Sequence, residues 1–246
     1  MRFEKIYEDV SVLRPEDYLA LERAIRTADA ADRGEIAVLL AGFVQPRSKA
    51  LLLALGRDED PVVRAEAYDS LAAFPFPDVE TFLRQAAETE RDALARAYAI
   101  LSLADIMLPR QPDLPACRDV FRKLLASETD AQCRLSLYRA LCLFGAEDSL
   151  PSLLAFLNAE SYQLRCAAVT AARDVLTVEN RETITRAIRI LQQKETTRAV
   201  HSRIDAIWSD LTEDGETEVL RAEQAYGWSL EFMPTDPDDL ELLVTE

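Results

Sequence analysis

Hydrophobic and polar positions along the chain follow one pattern that occurs four times. The stretch DPVVRAEAYDSLAAF from Asp60 recurs, with changes, as DALARAYAILSLADI from Asp92, DAQCRLSLYRALCLF from Asp130 and SYQLRCAAVTAARDV from Ser161. In each copy, apolar residues stand three, seven and ten positions after an Arg. These spacings place them on one stripe of a helix with 3.6 residues per turn. Each copy is therefore predicted to be a helix with one buried face.

The copies recur at a period that is typical of repeat proteins. Aligned on the Arg, successive copies are 32, 38 and 31 residues apart, and periods of this size indicate a solenoid. A fifth, weaker copy begins at Thr197 and has a His in place of the Arg. The aligned residues are Arg64, Arg96, Arg134, Arg165 and His201.

A second, more irregular set of helical segments lies between these copies. Each is long enough for about three turns, and several have Pro or an acid in the first turn, which suits the start of a helix. They begin at Ser48, Pro77, Pro115, Asp148 and Glu179. A pair of such helices cannot bury its apolar faces alone, so successive hairpins must stack. The sequence predicts an all-α solenoid of about five helical hairpins.

The repeats are predicted to occupy only part of the chain. Residues 1–47 are assigned to N-terminal capping helices, because an exposed terminal face needs a polar cover. Residues 48–211 form the repeats, and residues 212–227 a C-terminal helix. Pro234 and Pro237 interrupt helix in the remainder, so residues 228–246 are predicted to be an extended acidic tail.

Composition agrees with an ordered helical protein of the cytoplasm. Hydrophobic residues make up 49% of the chain and there are six glycines, a mixture that favours helices with a core. Charges occur throughout the first twenty residues, which does not fit a signal peptide. No stretch of 18 uncharged apolar residues is present to span a membrane. The four cysteines stand singly, as small buried thiols in a reducing compartment would.

The repeated stretch resembles the second helix of HEAT repeats. The shared features are an Asp, an aliphatic residue followed by Arg, and then Ala and Leu four residues apart, as in DPVVRAEAYDSLAAF. The resemblance covers roughly residues 48–211 and departs at the fifth copy, where Thr197 and His201 replace the Asp and the Arg. It implies a right-handed superhelix whose second helices line a concave face that holds other proteins.

Catalysis is not expected. The chain has one His and lacks the glycine-rich, metalloprotease and nucleophile-elbow motifs, so no cofactor, metal or catalytic residue is assigned. HEAT-like folds include DNA glycosylases, which need a basic face to hold phosphates. A net charge of −16 excludes nucleic acid as a partner. HEAT-like folds also include the lyases that attach bilin chromophores, and charge does not exclude that alternative.

Two groups of residues are predicted to bind a protein partner. The first group lies beside the buried stripe of the second helices, where Tyr and Arg are favoured contact residues; it comprises Glu66, Asp69, Tyr98, Tyr138, Arg139, Thr170 and Arg203. The second group lies in the tail, where residues 213–246 hold 11 acids and one base. It comprises Trp228, Phe232, Asp236, Asp238 and Asp239. The tail either docks on the partner or caps the last repeat.

Two functions remain open. The first is an inhibitor, since small acidic HEAT proteins resemble cytoplasmic immunity proteins that neutralise one cognate, often basic, toxin. Opposite charge would speed such an association. The second is an assembly or regulatory scaffold, including the alternative that resembles a bilin lyase. Both are non-catalytic interaction modules with a protein partner, expected to be basic, and neither involves a membrane.

Overall fold

The computed structural model describes residues 12–110 and 113–212. Twelve α-helices and no strand occur in these residues. The chain divides into two compact units. Unit 1 comprises Met1–Asp113 with Ala126–Cys133, and unit 2 comprises Leu114–Leu125 with Arg134–Glu246.

Unit 1 contains six helices arranged as successive hairpins. They are α1 (Pro15–Thr27), α2 (Ala30–Ala41), α3 (Pro46–Leu55), α4 (Pro61–Leu71), α5 (Pro77–Thr89) and α6 (Ala93–Met107). The second helices of the hairpins pack side by side, α2 against α4 and α4 against α6. The first helices α3 and α5 pack against α4 and α6 respectively.

Unit 2 repeats this arrangement with one irregular helix. Its helices are α7 (Leu114–Ser127), α8 (Ala131–Leu143), α9 (Leu150–Ala155), α10 (Tyr162–Asp174), α11 (Arg181–Lys194) and α12 (Arg198–Thr212), with the end of α7 and the start of α8 assigned to unit 1. Short 3₁₀ turns, Glu147–Ser149 and Phe156–Asn158, flank α9. Gly145 has a φ of 77°, a left-handed conformation that glycine adopts without a steric penalty and that ends α8.

Polar side chains fix where the second helices begin. The Asp60 carboxylate accepts a hydrogen bond from the N–H of Val62 at 2.8 Å, and the Asp92 carboxylate accepts one from Ala95 at 3.0 Å. These bonds satisfy N–H groups that the first turn of a helix leaves unpaired. The Asp at the start of the repeated sequence therefore acts as an N-cap.

The apolar stripe predicted from the sequence forms the core. The side chains three positions after the aligned Arg or His are fully buried. The side chains seven and ten positions after it are buried in four of the five copies. In the fifth copy the equivalents, Trp208 and Leu211, are partly buried against the core of unit 2. The predicted all-α solenoid class is confirmed. The handedness and the limits of the four predicted regions stay predictions.

Candidate functional site

Arginines on the second helices bind the acid that ends the next first helix. Arg64 of α4 donates from Nε and Nη2 to the two carboxylate oxygens of Glu90, at 2.7 and 2.8 Å. Its Nη1 donates to the backbone carbonyls of Asp58 and Glu59. Glu90 in turn accepts from the N–H of Asp92, just before α6. The Arg64 guanidinium and Glu90 thus link the segment after α3, the end of α5 and the start of α6.

This arrangement occurs four times in the described residues. We call the set the Arg–acid pairs; its members are Arg33–Asp58, Arg64–Glu90, Arg96–Glu128 and Arg165–Glu195. Each pair lies within one unit. In each, the Arg uses two nitrogens on the carboxylate and a third on a backbone carbonyl five or six residues earlier. The bidentate geometry is the strong form of this interaction.

The carboxylates of these pairs are held in the charged form. The pKa of Glu195 falls to about 2, chiefly because Arg165 donates hydrogen bonds to it, and burial opposes this only in part. At Glu90, burial acts to raise the pKa, but bonds from Arg64 and the Asp92 N–H outweigh it and bring the value to about 2. These contacts stabilise the stack of helices, so the Arg column is structural at Arg64, Arg96 and Arg165.

The two remaining members of the column differ in their contacts. Arg134 donates to the Tyr138 hydroxyl at 2.8 Å and lies over its ring. The Nε2 of His201 is 2.9 Å from the carbonyl of Glu195, six residues earlier, where the Arg residues place Nη1. His201 therefore takes the structural place of an Arg in the fifth copy.

Three acids and one Tyr lie near one another on α4 and α6 in unit 1. We call Glu66, Asp69, Tyr98 and Asp105 the acidic face. Asp69 is exposed, and the other three are partly buried. Glu66 also approaches α2, since its Cγ lies 3.5 Å from the position that a side chain on Gly34 would take.

The charges of the acidic face oppose one another. Burial raises the pKa of Asp69, and the charge of Asp105 raises it further. Burial and the charge of Asp69 raise the pKa of Glu66. The pKa of Tyr98 is raised by burial and by both of these carboxylates. Three side chains predicted from the sequence are therefore brought together, and the field around them is negative.

Neither Glu66 nor Asp69 forms an ion pair with any of the residues described by the structure. The cations nearest in sequence, Arg64 and Arg96, are bound to Glu90 and Glu128. Glu66 is partly buried, and a carboxylate in such a place without a cation lowers stability. Such a group is a candidate for a contact with a ligand or partner.

The other predicted contact residues lie in unit 2 and are not brought together in the same way. Arg139 is 7% exposed and donates to Asp174 at 2.6 Å, so little of its side chain is accessible, and its predicted contact with a partner stays a prediction. The ion pair that α8 forms with α10 accounts for its position. Tyr138 is partly buried and packs on Phe156, while Thr170 and Arg203 are exposed.

The predicted tail residues lie outside the described part of the chain. They are Trp228, Phe232, Asp236, Asp238 and Asp239. Their role in binding stays a prediction.

Two of the described thiols are in surroundings that disfavour the thiolate. Burial raises the pKa of Cys133 and of Cys142 to about 12, so both stay protonated at neutral pH.

No group of His, Cys, Asp or Glu among residues 12–110 and 113–212 is arranged to hold a metal ion. Within the same ranges, no helix is long and apolar enough to cross a membrane.

Sequence reasoning missed two sets of residues. Asp105 belongs to the acidic face, and its place nine residues after Arg96 puts it on the stripe that contains Tyr98. Arg33 belongs to the Arg–acid pairs although α2 was assigned to a cap. The signal was present, because Asp29 precedes Arg33 by four residues as Asp60 precedes Arg64.

Stacked helical hairpins joined by Arg–acid pairs define a helical-repeat protein. Residues 19–104 match the family model described as HEAT repeats, which supports the resemblance to HEAT repeats predicted from the sequence. This match includes α2, α4 and α6 as far as residue 104.

The chain is similar to one chain of a solved structure. It is titled "The structure of the complex of CpcE and CpcF of phycocyanin lyase from Nostoc sp. PCC7120", and the matched chain is 16% identical with a TM-score of 0.43. The match covers 79% of this chain and 99% of that chain. At this distance it carries no functional argument. No curated protein matches the chain.

Proposed function

We propose that this protein is a non-catalytic interaction module that binds a basic protein through the acidic face of unit 1. The observation that carries the proposal is the contrast within α4. Arg64 is bound by Glu90, while Glu66 and Asp69 have raised pKa values and no ion pair in the described residues. A Lys or Arg side chain from a partner would supply the missing countercharge.

The repeat architecture supports a binding role. Arrays of stacked helical hairpins offer extended surfaces on which other proteins are held. Tyr98 stands among the carboxylates of the acidic face, and Tyr combines a large contact area with a polar hydroxyl.

The finer proposal is an inhibitor of one cognate basic protein. The net charge of −16 supports it, because opposite charge raises the rate of association. A scaffold would hold several weaker partners instead. The mass and stoichiometry of the purified complex separate these functions: one partner at one to one supports the inhibitor, and several partners support the scaffold.

The proposal is tested by affinity capture with two variants of equal charge. The first variant neutralises the acidic face with Glu66→Gln, Asp69→Asn and Asp105→Asn. The matched control neutralises exposed acids on first helices and in a loop, with Glu88→Gln, Asp119→Asn and Glu160→Gln. Quantitative mass spectrometry compares the proteins retained by each from an extract of the source cells.

We expect the unchanged chain and the matched control to retain the same basic protein, and the variant of the acidic face to lose it. Equal retention by all three proteins would show that the acidic face is not the binding surface. Retention of acidic proteins alone would contradict the proposed partner.

A further inference from the structure

Exposed apolar side chains border the acidic face at the start of α4 and α6. Val62 and Leu94 are 53% and 40% exposed. Each lies two residues before the Arg of its helix and four residues before Glu66 or Tyr98. A spacing of four residues puts them on the same side of each helix as the acidic face.

A third apolar side chain lies on the neighbouring helix. Val38 of α2 is 39% exposed and stands five residues after Arg33, the position that Asp69 occupies after Arg64. Because α2 packs against α4, Val38 and Asp69 lie at equivalent places on adjacent helices. We call Val38, Val62 and Leu94 the apolar border.

Charge limits what can cover this surface. A second copy of the chain would bring another acidic face against the first, and like charges oppose that pairing. Residues 213–246, with 11 acids and one base, have charge of the same sign as the acidic face. A partner with cationic groups would complement that charge.

We infer that the acidic face and the apolar border bind a segment that has both Lys or Arg side chains and large apolar side chains on one side, as a basic amphipathic helix does. The cations lie against Glu66 and Asp69, and the apolar side chains cover Val38, Val62 and Leu94. This inference rests on the proposed function and adds the chemical class of the bound segment. Opposite charges on the two proteins raise the association rate, and burial of the apolar side chains lowers the dissociation rate.

Two synthetic peptides of equal length and charge test the inference by calorimetric titration of the full chain. One peptide combines Lys with Leu in a helical amphipathic pattern, and the other has Ser in place of Leu. We expect the Lys–Leu peptide to bind roughly tenfold more tightly, because burial of even one Leu side chain supplies that much. Its binding is also expected to show the more negative heat-capacity change.

Variants of the apolar border provide the second comparison. The substitutions Val62→Thr and Leu94→Gln remove apolar surface without changing charge, and they are expected to abolish the preference for the Lys–Leu peptide. A matched control, Val178→Thr with Ile190→Gln, changes side chains of unit 2 that are 67% and 54% exposed. The control is expected to keep the preference.

The outcomes separate this inference from the proposed function. If both peptides bind equally well and lose affinity only when the acidic face is neutralised, the inference is wrong and the proposed function stands. If neutralising the acidic face has no effect on either peptide, the proposed function is contradicted as well. Loss of the preference in the matched control would place the apolar contact elsewhere.

Discussion

At the scale of single residues, Arg64 and Glu66 show two uses of charge on one helix. Arg64 is 17% exposed and Glu90 is 7% exposed at their side chains, and each satisfies the other. Glu66, two residues further on, has no described ion pair and a raised pKa. The first arrangement stabilises the fold, and the second leaves charge available for a partner.

Removing Arg64 is expected to destabilise the protein strongly. Arg64→Ala leaves the buried Glu90 carboxylate without its cation, a change that costs about 3 kcal/mol of unfolding free energy. The matched control is Arg186→Ala, since the Arg186–Glu182 pair is exposed on both sides and contributes less than about 1 kcal/mol. Urea unfolding followed by circular dichroism measures both. Equal effects would show that Arg64 has no special role in the stack.

The fall in the free energy of unfolding at acid pH is expected to depend on the Arg–acid pairs. Glu90 and Glu195 have folded-state pKa values of about 2, below the ordinary value. Their contribution is therefore complete above the unfolded-state pKa and is lost as pH falls from there toward the folded-state value. Urea unfolding between neutral pH and about pH 3 should show this loss. Glu195→Gln should flatten the profile, whereas an unchanged profile would contradict the assignment.

At the scale of helices, the sequence was sufficient to predict the elements and their buried faces. The positions three after the aligned Arg or His, such as Ala67 and Ala99, are fully buried, because the period of the apolar residues is that of a helix. The partners of the Arg residues were not predictable in the same way. The acid follows its Arg by 26 residues at Glu90, 32 at Glu128 and 30 at Glu195. Because this interval varies, spacing in the sequence does not identify the acid that each Arg binds.

Three of the four members of the acidic face were also predictable at this scale. Glu66 and Asp69 share a side of α4 because they are three residues apart, and the packing of α4 against α6 adds Tyr98. Arg139 has the same position on α8 that Asp69 has on α4, but it is buried. Position on a helix fixes the side of the helix, but burial depends on neighbours, and Asp174 draws Arg139 into an ion pair.

Neutralising α4 at the acidic face is expected to stabilise the free protein. The raised pKa values of Glu66 and Asp69 mean that the folded state favours their neutral forms, so their ionisation lowers stability as pH rises through those values. Glu66→Gln with Asp69→Asn should add about 0.5 kcal/mol at neutral pH by removing a like-charge pair three residues apart. Thermal unfolding at neutral and acid pH measures this. A loss of stability would show that the two acids serve the fold.

At the scale of the whole molecule, negative charge is expected to control how fast the protein finds its partner. A net charge of −16 attracts a basic protein over roughly 10 Å at moderate ionic strength. Stopped-flow association with the captured partner should slow about tenfold or more between low and physiological salt. The matched control Glu88→Gln, Asp119→Asn, Glu160→Gln should keep most of this dependence. A rate independent of salt would contradict charge-driven encounter.

The most direct test of the central claim is photo-crosslinking from the apolar border in the full chain. A benzophenone amino acid in place of Val38 lies next to the acidic face, and the same group in place of Val178, which is 67% exposed, is the control in unit 2. We expect position 38 to crosslink a basic protein through a peptide rich in Lys or Arg, with little product from position 178. Crosslinking from position 178 alone, or from position 38 to an acidic segment, would contradict the assignment of the acidic face as the binding surface.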